Sequence, residues 1–191
     1  SGSAVTIVDT TALDLKALTA ASLSATAGGA VTDSGTLAIA GATTISASGQ
    51  DITLDQAAST FGTLALTGAN VAVTENAATD LGASTVSGTF AITSGGAITD
   101  SGTQAITGDA TFTNTAGTDD AITLDDASNA FGGTVTFATD SGSAVTIVDT
   151  TALDLKALTA ASLSATSGGA VTDSGTLAIA GATTISASGQ D

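Results

Sequence analysis

The chain contains no Cys, Met, Trp, Tyr, Pro or His, and its only cations are Lys16 and Lys156. Each absence closes off a class. Without Cys there are no disulfides, so the fold must be held by packing and backbone pairing, and a thiol-free chain also suits export in an unfolded state through a narrow pore. Without His, and with both Lys in identical surroundings, no nucleophile and base can be paired. Sugar-cleaving enzymes need carboxylates partnered by cations together with aromatic platforms, which two Lys and five Phe do not supply. The chain is therefore read as non-enzymatic, and glycine-rich stretches such as SGGA match no phosphate loop. Seventeen Asp and Glu75 against two Lys give a net charge of −16. With no Arg to grip phosphate in a fork, nucleic acid is excluded as a partner. No run of eighteen apolar residues exists, so no membrane span is expected.

What remains is Ala, Thr, Gly, Ser, Val, Ile, Leu and Asp. The β-branched residues favour strands, while Gly and Asp break them. Apolar residues make up 42% of the chain and recur regularly, which disordered chains do not show.

Residues 141–191 repeat residues 1–51 with one difference, Ser167 in place of Ala27. The chain thus holds one 140-residue unit and the start of the next, as expected of a window on a tandem array. Smaller repeats lie inside. VTDSGTLAIAG at 31–41 returns as ITDSGTQAITG at 98–108, and LDQAASTFGT at 54–63 returns as LDDASNAFGGT at 124–134. The β-branched openings Val5, Val31, Ile52, Val73, Ile98, Ile122, Val145 and Val171 divide the 140 residues into six segments of about 23, in two triplets.

Within each segment the apolar residues alternate. Leu64 and Leu66 stand against Thr63, Ala65 and Thr67; Phe90 and Ile92 against Thr89, Ala91 and Thr93; Val135 and Phe137 against Thr134, Thr136 and Ala138. Gly, Asp, Asn and Ser place a corner every seven or eight residues. A segment this short cannot bury its apolar face alone, so neighbours must stack on it at about 4.8 Å. The expected fold is all-β: a parallel β-helix of about eight coils, about 23 residues and three short strands each, running as one solenoid through 1–191. The Phe residues are expected to fill corners or wider coils. A string of antiparallel β-sandwich modules is the competing fold, since three segments approach 70 residues.

The stretches AITLDDASNAFGGTVTF (121–137) and NVAVTENAATDLGASTVSGTFAITSGGAITDSGT (70–103) resemble the repeats of filamentous-haemagglutinin-like giant bacterial exoproteins. The resemblance covers essentially the whole chain. It implies a right-handed β-helical filament, secreted to the bacterial cell surface, acting in adhesion, biofilm or surface coating. It further implies export by an outer-membrane partner and contact with a host or neighbouring-cell surface.

An acid closes the first strand of nearly every segment: Asp9, Asp33, Asp55, Asp100, Asp125, Asp149 and Asp173, with Asn76 substituting once. The simple reading is turn chemistry. The sharper one is a Ca²⁺ ladder, for which Asp119, Asp120, Asp125 and Asp126 form the best cluster and Asp140 a weaker member, although no known calcium motif is present. Lys16 and Lys156 are read as solvated rather than as isopeptide donors. Outward pairs such as Thr63 and Thr67, Thr89 and Thr93, Thr103 and Thr107, Thr111 and Thr113, and Thr134 and Thr136 suggest an ice-binding face, against the plain preference of Thr for exposed strands.

The expected function is a structural shaft, its copies stacking end to end and each unit adding roughly 29 Å from six coils. A repetitive binding face for ice or Ca²⁺ is the alternative, and an engineered repeat a third.

Overall fold

A computed structural model describes residues 2–115, 120–139 and 142–188. Its strands are all parallel to their neighbours and belong to two sheets. The larger sheet runs Ala4–Asp9, Ser22–Ala27, Leu37–Ser46, Thr60–Gly68, Thr79–Leu81, Ile98–Asp100, Ile122–Leu124, Ala144–Asp149, Ser162–Ser167 and Thr183–Ala187. Leu18–Ala20, Ser84–Val86, Gln104–Ile106 and Ala130–Phe131 pair alongside that path. The smaller sheet runs Leu13–Leu15, Val31–Asp33, Ile52–Leu54, Val71–Thr74, Phe90–Ser94, Ala110–Asn114, Thr134–Ala138, Leu153–Ala160 and Val171–Asp173, with Leu177–Ile179 beside it. The fold is a parallel β-solenoid. Among the described residues there is no helix, and so none long and apolar enough to cross a membrane.

The period-two alternation becomes the inside and outside of the coil. Val31, Ile52, Val71, Phe90, Ala110 and Val135 pair in successive coils and are all buried. Their neighbours Thr53, Ala72, Ala91, Thr111 and Thr136 stack outside them. The inward residues of all coils merge into one continuous core, and each strand satisfies its backbone groups on the strands above and below.

Ten strands on the larger path make nine turns, and seven of those steps separate Ala4–Asp9 from its copy Ala144–Asp149. The 140-residue unit therefore winds seven coils averaging 20 residues, not six of 23. Its rise becomes roughly 34 Å at about 4.8 Å per coil. The miscount has a physical origin. Val31, Ile52, Val73 and Val171 lie on the smaller sheet, whereas Val5, Ile98, Ile122 and Val145 lie on the larger one. Counting from Val5 to Val31, and from Val73 to Ile98, passes from one side of the coil to another and hides one full turn.

The matching phrases are displaced in the same way. VTDSG at 31–35 starts on the smaller sheet, and ITDSG at 98–102 on the larger.

Coil length varies along the chain. The steps Ile98 to Ile122 and Ala110 to Val135 are the long ones, and there the rings gather. Phe112 meets Phe90 edge-on at 5.9 Å and Phe131 edge-on at 6.1 Å, and stacks on Phe137 at 5.8 Å. The Phe rings thus gather in the interior of the coils with the most residues.

Strands on the two sides of the boundary between units pair directly. Ile122–Leu124 pairs with Ala144–Asp149, and Thr134–Ala138 with Leu153–Ala160 through one register shift. Identical residues then show what stacking buries. Val145 and Ile147 are buried above that junction, while Val5 and Ile7 in the first rung are half-buried. Ile45 is 1% exposed beneath the next coil, and its copy Ile185 is 50% exposed.

Candidate functional site

The acidic corners are the most ordered polar feature, and they divide between the two sheets rather than forming one ladder. Asp33 and Asp55 follow one another on the smaller sheet side, and Asp100 and Asp125 on the larger. The contact within each pair is carboxylate to backbone. Asp55 N–H donates to Asp33 Oδ1 at 2.8 Å, and Asp125 N–H to Asp100 Oδ1 at 2.9 Å. Asp100 also accepts from Asp126 N–H at 3.3 Å and Asn129 Nδ2 at 2.6 Å. The corner acids thus cap the following coil, which is turn chemistry extended between coils.

Of the cluster singled out for Ca²⁺, Asp119 and Asp140 lie outside the described residues. Asp126 Oδ1 accepts from Ser128 N–H at 2.9 Å and Thr103 Oγ1 at 3.1 Å. The Asp120 carbonyl accepts from Asn114 Nδ2 at 2.9 Å. Asp125 contributes its N–H to Asp100. Among the described residues no three acidic side chains converge as metal ligands would.

A second column of corner side chains stands just before the smaller-sheet strands. Asp51 Oδ1 accepts from Asn70 N–H at 3.1 Å and Nδ2 at 2.9 Å; Asn70 Oδ1 accepts from Thr89 N–H at 3.0 Å and Oγ1 at 3.1 Å. Farther along, Asp109 Oδ1 accepts from Thr134 N–H at 2.9 Å, which holds its carboxyl below the usual range.

Inside the coil runs a polar column that sequence reasoning did not find. Ser59 Oγ accepts from Leu37 N–H at 3.0 Å, Glu75 Oε2 from Phe61 N–H at 3.1 Å, Asn129 Oδ1 from Gln104 N–H at 2.7 Å, and Asp149 Oδ1 from Phe131 N–H at 3.3 Å. All four acceptors are buried, and each comes from the coil after the donor. They satisfy amides that enter a corner before strand pairing begins. A signal existed: Ser59 and Asn129 each precede a Phe by two residues in the repeated LD phrase.

Glu75 is the unusual member. It is 3% exposed, and Oε1 also accepts from Thr79 Oγ1 at 2.6 Å. Burial outweighs both bonds and pushes its carboxyl up to about 7. Burial likewise raises Asp33, whose Oδ2 has no partner.

Lys16 Nζ lies 2.5 Å from Asp14 Oδ2 and 2.6 Å from Ser34 Oγ, with its side chain 74% exposed. It occupies no apolar pocket of the kind an isopeptide bond needs. Its hydrogen bond holds the Asp14 carboxyl below the ordinary value. The outward threonines form broken rows: on the smaller sheet Thr32 and Thr53 are followed by Ala72 and Ala91 before Thr111 and Thr136 resume.

Comparison with known proteins returned one family. Its model, described as repeats of unknown function (DUF5649), matches residues 2–67, 68–138 and 142–191. The first two segments each span about half of the 140-residue unit. No curated protein and no solved structure matched the chain.

Proposed function

Because the chain belongs to this family of repeats, which covers nearly its whole length, we propose that it is a non-catalytic shaft segment of a long bacterial surface filament or adhesin. Copies continue end to end, outside the cell. The coarser part is a matter of architecture: this is a tandem-repeat protein with a solenoid fold, and such arrays supply length and surface.

The observation that carries the reading is the strand pairing across the unit boundary. Strands from the end of one 140-residue unit pair in parallel with strands from the start of the next, as neighbouring coils within a unit do. An array built this way is a rod whose length scales with copy number. The acidic, thiol-free composition suits an exported polymer, with self-repulsion between rods keeping them apart.

The test is imaging of a chain carrying several units in tandem. A thin rod growing by roughly 34 Å per unit is expected. Beads separated by flexible joints would end the proposal, as would a lack of any labelled material at the cell surface.

A further inference from the structure

Three carboxyl groups among the described residues are buried without an ion pair, Asp33, Asp149 and Glu75, and of these Glu75 is the one with both oxygens bonded, each to an uncharged group. Glu75 sits in the corner between Val71–Thr74 and Thr79–Leu81, where it reaches back to the coil below. Its two partners are uncharged. The Phe61 N–H can only donate, whereas the Thr79 hydroxyl can donate to an ionised Oε1 or turn and accept from a protonated one. The 2.6 Å separation suits either direction.

No neighbouring element offers compensation. Thr60–Gly68 and Phe90–Ser94 carry no ionisable side chain. Thr79–Leu81 carries Asp80, whose Oδ2 accepts from Thr63 and Ser101 hydroxyls at 2.9 Å each. Ile52–Leu54 is flanked by Asp51 and Asp55. None of these elements carries a cation. Other coils place the neutral Ser59 and Asn129, and the acid Asp149, in the same role.

We propose that Glu75 is a proton-operated latch in the shaft: protonated, it holds its corner closed on the Phe61 amide, and ionised, it loosens the contact between these two coils. Water reaching the carboxylate is the alternative to leaving a bare charge in the core, and it enters only if the corner parts. The device acts between two particular coils in each unit and leaves the rest of the rod intact.

The chain has a single glutamate, so carboxyl-¹³C glutamate labelling yields one resonance to follow in the intact protein. The expected result is a midpoint near neutral pH, accompanied by a fall of about tenfold or more in the protection factor of the Phe61 amide between acidic and basic solution. E75Q keeps that protection constant across the range. A resonance that titrates near the ordinary 4.5 overturns the proposal. So does a near-neutral midpoint with unchanged Phe61 protection in the wild-type chain, a result that needs no variant to fold.

Discussion

The Ser167 hydroxyl donates to the Thr151 carbonyl at 2.6 Å and accepts from Gly169 N–H at 3.1 Å. Ser94 makes the same pair, donating to the Ala77 carbonyl at 2.8 Å and accepting from Gly96 N–H at 3.2 Å. At the matching corner of the first unit stands Ala27, which has no hydroxyl to offer. The one substitution separating the two copies thus falls on an interior corner. Ala27→Ser is expected to stabilise the chain by about 1 kcal/mol, the net worth of a buried hydrogen bond, and Ser167→Ala to lose a similar amount. Denaturant midpoints of the two variants measure both; a destabilised A27S would contradict the equivalence.

The glycine after that serine is fixed by distance. A Cβ on Gly168 would stand 2.2 Å from the Thr150 carbonyl oxygen, and one on Gly28 2.2 Å from that of Thr10. Backbone cannot yield here without breaking the coil below. Gly168→Ala is expected to cost about 2 kcal/mol or more, far beyond the usual effect of a surface change. Thermal melting of the variant alongside Gly49→Ala separates this from loss of chain flexibility, since a Cβ at Gly49 meets nothing but carries the φ of +75°.

Phe112 touches three other rings and is fully buried. Truncation to Ala is expected to cost about 3–5 kcal/mol, because neighbouring coils are tied by backbone pairing and cannot collapse into the space. Phe112→Leu should recover most of that. Equal losses in both variants would show that the rings, rather than the volume, carry the effect.

The stability of the whole chain should fall as pH rises from acid to neutral. Below pH 4.5 Glu75 is protonated in both folded and unfolded chains and contributes nothing. Between 4.5 and about 7 the unfolded chain gives up its proton first, so the folded state binds more protons and loses stability with each step of pH. Above 7 the loss is complete, roughly 3 kcal/mol. Asp33 acts with the same sign. E75Q should match the wild type near pH 4 and exceed it at pH 8, with amide donor and acceptor serving Thr79 and Phe61. A difference independent of pH would mean that the side chain is merely structural.

The solenoid was legible because period-two alternation and corner residues are local facts. Leu64 and Leu66 point inward whatever coil lies above them. The coil count was not, since it depends on which of the two sheets a phrase occupies. TDSG reads the same on either sheet, yet its acid is 6% exposed at Asp33 and half-buried at Asp100. The corner acids were legible as turn residues, and their bonding to the next coil confirms that role at Asp33 and Asp100. The buried column through Ser59, Glu75, Asn129 and Asp149 was not legible. Polar residues near a corner normally face water, and only the close approach of the preceding coil's amides turns these four inward.

The two-sided placement of TDSG bears on how the rod meets other molecules. Thr32 and Ser34 present the phrase on one flank, and Thr99 and Ser101 on another, about three coils farther along. A single antibody or receptor raised to this epitope would decorate the rod in two staggered rows instead of one. A probe that bound two copies of the phrase would therefore meet them on different flanks of the solenoid.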